Sequence, residues 1–366
     1  MADFIYYPKK IAQLETSNSI QLLSNIAIFS SSLFIPIMAQ EMHADGLMIG
    51  LIVSIFNLTY FFAGYLFGSL SDRFGAKRIL QFGLLLSAIF YASQVFAKDT
   101  GSLLYLRALA GFAAGIFPAS LAVYAYEERK GKMGKFTAYG SLGWALGSLM
   151  AGFITYYYSI FLAAAFLYLV AFVLSFRLGE AKTKGTFNLF PWRLFIKNAR
   201  IYVPYLFRSI GSQAVWTIFP LYLLSTGADK FLVGIAYFVN AFTQFIMMQK
   251  AEKFKNLYLF NLGLLCTVLT FIAYALLNNF WLILPIQVLL AFAFSTLQVG
   301  AHQELMTNNR EKGTVIGLLN SIANITAVVG PFLAGLFLYY YGFSGVMWSA
   351  AFISFIGLIT FTKVLK

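Results

Sequence analysis

The chain holds one cysteine, Cys266, and two histidines, His43 and His302. A lone cysteine excludes an internal disulfide and gives no sign of an oxidising compartment. So few sulfur and imidazole groups cannot build a histidine- or cysteine-rich metal centre. Charge is scarce as well: 11% of residues are Asp, Glu, Lys or Arg, against about 25% in an ordinary soluble domain. Acid is scarcest, with 13 carboxylates against 26 lysines and arginines. There is no HExxH pair and no glycine-rich phosphate loop after a strand, so the common metallohydrolase and nucleotide-enzyme classes are excluded and neither a cofactor nor a metal is expected. The opening stretch MADFIYYPKKIAQLE lacks the basic, apolar, small-residue order of a cleaved signal. The first apolar run is therefore expected to be a retained helix.

What the chain has in abundance is apolar surface: 60% hydrophobic residues, 18% aromatics and a mean hydropathy of +0.77. A soluble fold has too little polar surface here to face water, so lipid is part of the solvent. Apolar runs of about 20 residues, the length that crosses a bilayer, fall near 17–40, 47–70, 79–97, 101–126, 133–156 and 159–177. They recur near 201–225, 231–249, 257–277, 280–304, 313–340 and 343–362, which makes twelve. With both termini inside, two of the 26 cations (Lys98 and Lys230) fall on outer loops and two (Arg107 and Arg208) within spans; the rest fall on inner segments. Such a bias sets orientation by the positive-inside rule. The net charge of +13 thus faces anionic lipid headgroups, and no nucleic-acid partner is expected.

The chain also repeats itself at about half its length. At an offset of 184, Pro36 matches Pro220, Ala44-Asp45 matches Ala228-Asp229, and Gly50 matches Gly234. At 183, Glu128-Arg129 matches Glu311-Lys312, and Gly134, Gly147 and Gly152 match Gly317, Gly330 and Gly335. The triplet Tyr156-Tyr157-Tyr158 matches Tyr339-Tyr340-Tyr341 and reads as an interfacial aromatic belt. Six spans per half make the repeat parallel. The expected division is an N-terminal segment 1–16, a bundle 17–177, a linker 178–200 and a bundle 201–363. In the linker, Trp192 and Phe195 interleave with Arg193, Lys197 and Arg200, which reads as a short basic helix on the inner membrane surface. A tether is the favoured role, and a partner-binding role stays open.

Between the second and third spans, GSLSDRFGAKRIL gathers charge at the end of an apolar run. Gly68 permits close helix approach, Gly75 permits a turn that a side chain resists, and Asp72, Arg73, Lys77 and Arg78 bring both signs together. With twelve spans in two parallel halves, this loop resembles the signature of the major facilitator superfamily, departing from it at Ala76, where a base is usual. The resemblance implies an all-α membrane fold of two six-helix halves around a central cavity. It also implies alternating access by rocking of the halves, with Asp72 and Arg73 latching the cytoplasmic side. The second-half counterpart, KAEKFKN, keeps Glu252 and Lys253 but lacks the glycines.

LLYLRALAGFAAG on the fourth span aligns Arg107, Gly111 and Gly115 on one helix face. The family places a functional arginine there; an arginine snorkelling to the outer interface is the alternative. GSLGWALGSLMAG on the fifth span resembles both the glycine pattern of facilitator exporters, with Ser148 in place of Pro, and the lactose permease group, whose Trp stacks on a sugar. By that second resemblance Trp144 is a candidate platform for substrate, with packing as the alternative.

No carboxylate lies deep in a span, which disfavours a cationic-drug exporter. Two deep arginines, Arg107 and Arg208, favour an anionic or strongly hydrogen-bonding solute, with snorkelling to the inner interface as the alternative for Arg208. Asn25, Asn57, Gln213, Asn240, Gln244, Gln298, Asn320 and Asn324 are candidate cavity residues, each also readable as an interhelical hydrogen bond. Glu127, His302 and Glu304, at inner span ends, are the candidates for proton coupling, with salt bridges at the gate as the alternative. A monomeric multi-pass transporter of the cytoplasmic membrane, contacting lipid and a small-molecule substrate, is the expectation, with proton coupling and uniport both open. A multidrug-type exporter and a non-transporting sensor of the same fold are the alternatives.

Overall fold

The computed structural model describes residues 2–128, 134–179, 192–251 and 256–363. Every regular element among them is helical. In order they are α1 (Ala2–Leu33), α2 (Ile35–Glu41), α3 (Gly46–Phe74), α4 (Ala76–Ser93), α5 (Thr100–Ile116), α6 (Pro118–Glu128), α7 (Gly134–Ile154) and α8 (Tyr157–Ser175). Then follow α9 (Trp192–Lys197), α10 (Ala199–Ser225), α11 (Lys230–Ala251), α12 (Asn256–Leu276), α13 (Phe280–Asn308) and α14 (Lys312–Lys363). A bilayer core leaves a lone backbone no water to bond, and helices satisfy it internally.

Nine helices among the described residues are long and apolar enough to span a membrane. The last of these, Thr314–Thr362, is interrupted at Gly342, whose φ is 67°, so it holds two apolar runs. The apolar part of α7, Ala138–Ile154, is shorter, and α10 carries Arg208, Ser209, Ser212, Gln213 and Thr217 along its length. The twelve-span expectation maps onto these elements by reading α14 as two and adding α7 and α10. Helix α1 starts at Ala2, well before the first apolar run. Two chain breaks carry prolines: α2 begins one residue before Pro36, and Pro118 opens α6, the helix position where its missing N–H costs least.

The chain folds as two compact units, residues 1–38 with 55–187 and residues 39–54 with 188–366. The first has a core around Leu84, Tyr91, Phe117 and Tyr168; the second is built around Tyr202, Phe260, Leu297, Leu305 and Phe361. Residues 39–54 join the second unit because the start of α3 lies flush on α14. A Cβ on Gly50 would stand 2.5 Å from the Pro331 carbonyl and 2.8 Å from the Gly335 Cα, and Ser54 donates to the Val328 carbonyl at 3.0 Å. In the same unit Lys230 pairs with Glu41 at 3.1 Å; both are partly exposed, so the pair contributes little.

The repeat has a physical basis. Asp45 accepts from the Met48 amide at 2.8 Å and Asp229 from the Leu232 amide at 2.7 Å, so the matched Ala-Asp pairs cap α3 and α11. Asp99 and Asn279 cap α5 and α13, and the bonds from Ser102 hold the Asp99 carboxyl below the usual carboxylate range. Gly147 packs against the Ile26 carbonyl, where a Cβ would stand at 2.9 Å, and Gly330 against the Ile210 carbonyl at 3.0 Å. Ile26 and Ile210 are themselves 184 residues apart. Each half therefore clamps its first helix onto its fifth at the same level.

The loop between α3 and α4 turns at Gly75, with φ 92°, and Gly68 passes Ala119 in ordinary contact, 3.6 Å from its Cβ to one built on the glycine. Lys77 donates to the carbonyls of Phe176 and Leu178. Both carbonyls lie just past α8, where the helix dipole favours a cation. Lys77 thus staples α4 to the end of α8 inside one unit, while Arg78 is exposed. The side chains of Asp72, Arg73 and Glu127, the linker stretch 180–191, and Glu252 with Lys253 lie outside the described residues.

Gly147→Leu and Gly330→Leu should each destabilise by about 1–3 kcal/mol through overpacking. Gly317→Ala, exposed in α14 with nothing within 4 Å of the added carbon, should leave the thermal midpoint of the purified protein the same or slightly higher. Lys77→Ala should cost about 1 kcal/mol and show as a lower midpoint in the same melting assay.

Candidate functional site

Arg107 sits on α5, and the two glycines that follow it on the same face decide its surroundings. Gly111 lies against the Phe56 carbonyl and Gly115 against the Tyr60 carbonyl, so closely that any Cβ would collide. This brings α3 onto α5 and lays the Phe56 ring 4.0 Å from the guanidinium carbon. The guanidinium is 2% exposed and donates to Gln94 Oε1 at 3.3 Å and Ser32 Oγ at 3.1 Å. It is turned into the bundle, away from solvent, and no described carboxylate pairs with it. An arginine met only by neutral oxygens and a ring face keeps its full positive field in a low-dielectric surrounding.

Arg208 on α10 repeats the arrangement in the second unit. It is 2% exposed, its Nε donates to Thr267 Oγ1 at 3.2 Å, and the Phe294 ring lies 5.5 Å from its guanidinium carbon. One turn back, Tyr205 donates to Gln298 Oε1 at 3.1 Å. The Gln298 carbonyl lies 2.9 Å from His302 Nδ1, and Glu304 accepts from Asn308 at 2.7 Å. Gln298 and His302 thus share a face of α13 near Tyr205, while Glu304 and Asn308 lie on a different face of the same helix.

Trp144 differs from both arginines because it is open, 43% exposed. Its Nε1 donates to Asn25 Oδ1 at 2.9 Å, and its ring stacks on Phe29 at 5.9 Å. Asn25 in turn donates to the Gln21 carbonyl at 2.8 Å. Gly143 and Gly147 bracket Trp144 and let α1 approach, with a Cβ on Gly143 only 2.6 Å from that of Asn25. The indole is consequently held at its N–H edge and against Phe29, and stays open over part of its surface.

The other polar candidates divide. Asn240 is buried and engaged, donating to the Gln287 carbonyl at 3.1 Å and accepting from Gln244 at 2.6 Å. Gln213 lies half-buried where Gly330 crosses α10. Asn320 and Asn324 are exposed on α14, and Asn57 is half-buried on α3. The structure brings Asn25 and Trp144 together; Arg107 and Arg208 belong to different units. Sequence reasoning missed Ser32, Phe56, Gln94, Tyr205, Thr267 and Phe294. The glycines after Arg107 signalled a neighbouring helix but not which one.

The family model for the Major Facilitator Superfamily matches residues 19–302 and 201–366. Among curated proteins, the multidrug resistance protein MdtG of Proteus mirabilis is 26% identical over 338 residues, covering 83% of each chain. The quinolone resistance protein NorA of Staphylococcus aureus is 23% identical over 328 residues, covering 82% of this chain and 83% of the other. The crystal structure of the nucleoside transporter NupG (D323A mutant) superposes with a TM-score of 0.80 at 14% identity, covering 98% of this chain and all of that one. With the family match spanning nearly its whole length, the chain is a multi-pass membrane protein of the major facilitator superfamily, a family of small-molecule transporters.

Proposed function

We propose that the protein is a secondary transporter that moves a small polar or anionic organic solute by alternating access, in the cytoplasmic membrane with both termini inside. The observation that carries the choice of solute is the pair of buried, uncompensated arginines. Neither needs to touch the solute, because an unneutralised charge in a water-poor bundle acts over distance. Trp144, held by Asn25, offers the aromatic face against which a ring or sugar would stack. Asp72 and Arg73 act as the cytoplasmic latch, with Gly68 and Gly75 shaping the loop. Gln213 and Asn324 complete the solute contacts, and Asn240 and Gln298 hold their helices in place around them. His302, one turn from the Gln298 that Tyr205 bonds, and Glu304 nearby on another face of α13 are the proton-coupling candidates of the second half, with Glu127 that of the first.

A second reading is a multidrug-type exporter, favoured by relatives named for multidrug and quinolone resistance. Against it stands the absence of any carboxylate deep in a span, where a cationic drug would be held.

Flux into proteoliposomes separates these readings. Arg107→Ala should reduce uptake of an organic anion by about tenfold more than uptake of a neutral solute, the scale of a unit-charge attraction at about 10 Å and an effective dielectric of about 20; equal losses would make Arg107 a packing residue. Asp72→Asn should slow flux while leaving solute affinity within a few-fold, and full flux in that variant would remove the latch assignment.

A further inference from the structure

The bend between α9 and α10 meets the turn between α13 and α14 in a cavity of about 370 Å³, lined by Lys197, Thr307, Asn308, Asn309, Arg310 and Glu311. Its walls are fixed. Asn198 and Asn309, both buried, exchange amide hydrogen bonds at 3.2 and 2.9 Å. Each also donates to a carbonyl of its own helix, Leu194 and Leu305, at 2.9 Å. Tyr202 adds a bond to the Val315 carbonyl at 2.9 Å. Lys197 donates to the Asn308 carbonyl at 3.1 Å, which places its ammonium at the cavity with, among the described residues, two of its three N–H groups left to bond a ligand. Arg310 brings a planar fork suited to two oxygens of one anion, and Glu311, exposed to solvent, offsets one of the two cations. The cavity therefore carries a net positive charge.

We propose that this cavity binds a phosphate group, supplied by the headgroup of an anionic phospholipid. The proposal rests on the orientation given above, which puts this end of the bundle at the inner leaflet, where anionic lipid is concentrated. On α9, Trp192 and Ile196 each expose 58% of their surface while Phe195 stacks between Trp192 and Tyr202 at 5.5 Å on either side. An exposed indole and isoleucine one turn from a held ammonium match an interfacial helix with its acyl-facing and phosphate-facing sides. A bound headgroup would bridge Lys197 to Arg310 and so reinforce the bonds that already hold α9 to the α13–α14 turn.

The test is the thermal midpoint of the detergent-purified protein with phosphatidylglycerol, phosphatidylcholine or soluble glycerol phosphate. Phosphatidylglycerol should raise it by about 5 °C near saturation and phosphatidylcholine should not. The rise should vanish in Lys197→Gln/Arg310→Gln, persist in Lys197→Arg, and persist in Arg193→Gln, which removes an exposed cation of α9 outside the cavity. If glycerol phosphate gives the same variant-sensitive rise, the cavity takes phosphate from a soluble source. No rise with either phosphate, or a rise that the double variant retains, overturns the proposal. Because the assay needs no flux, its outcome is independent of whether the transport reading holds.

Discussion

A bilayer interior gives a polar group no partner that the protein does not itself supply. From this one constraint most of the architecture follows. Backbone groups close into helices, and the open amides at helix starts are met by side chains, as Asp45, Asp229, Asp99 and Asn279 do. At helix ends the free carbonyls need donors, and Lys77 provides them for the segment after α8. Because apolar side chains gain nothing by leaving lipid for one another, the helices associate through close contact. Gly147 on Ile26 and Gly330 on Ile210 are such contacts, matched between the two halves.

The same constraint makes the two arginines costly. A buried guanidinium is ordinarily paired with a carboxylate; here Arg107 has Gln94, Ser32 and a phenylalanine ring, and Arg208 has Thr267 and another. These partners orient the charge without cancelling it. Two such charges, one in each unit and with no acid deep in any span, leave the interior of each unit positive. That is the physical ground for favouring an anionic or hydrogen-bonding solute over a cation.

Fold class was legible in the sequence because run length, cation placement and the half-length repeat report on the same thing, the crossing of a lipid layer. The loop from Gly68 to Arg78 was legible as a motif, yet Lys77 acts in this structure as a helix staple, which depends on where α8 ends and not on the motif. Trp144 and Asn25 were each visible as candidates, but their hydrogen bond was not, since it joins residues 119 apart. The partners of Arg107 come from α1, α3 and the turn after α4, and no spacing rule along one helix predicts them. Asn240, by contrast, looked like a site residue and is engaged in holding α11 to α13.

The central claim, that uncompensated buried cations select the solute, is tested most directly by ligand-induced stabilisation of the purified protein. Panels of organic anions, neutral sugars or nucleosides, and cationic aromatics would be compared on the wild type and on Arg107→Ala. The account predicts stabilisation by members of the anionic or neutral polar panels, with the anionic response lost in the variant. Stabilisation by cationic aromatics that survives Arg107→Ala would contradict it and leave the drug-exporter reading in its place.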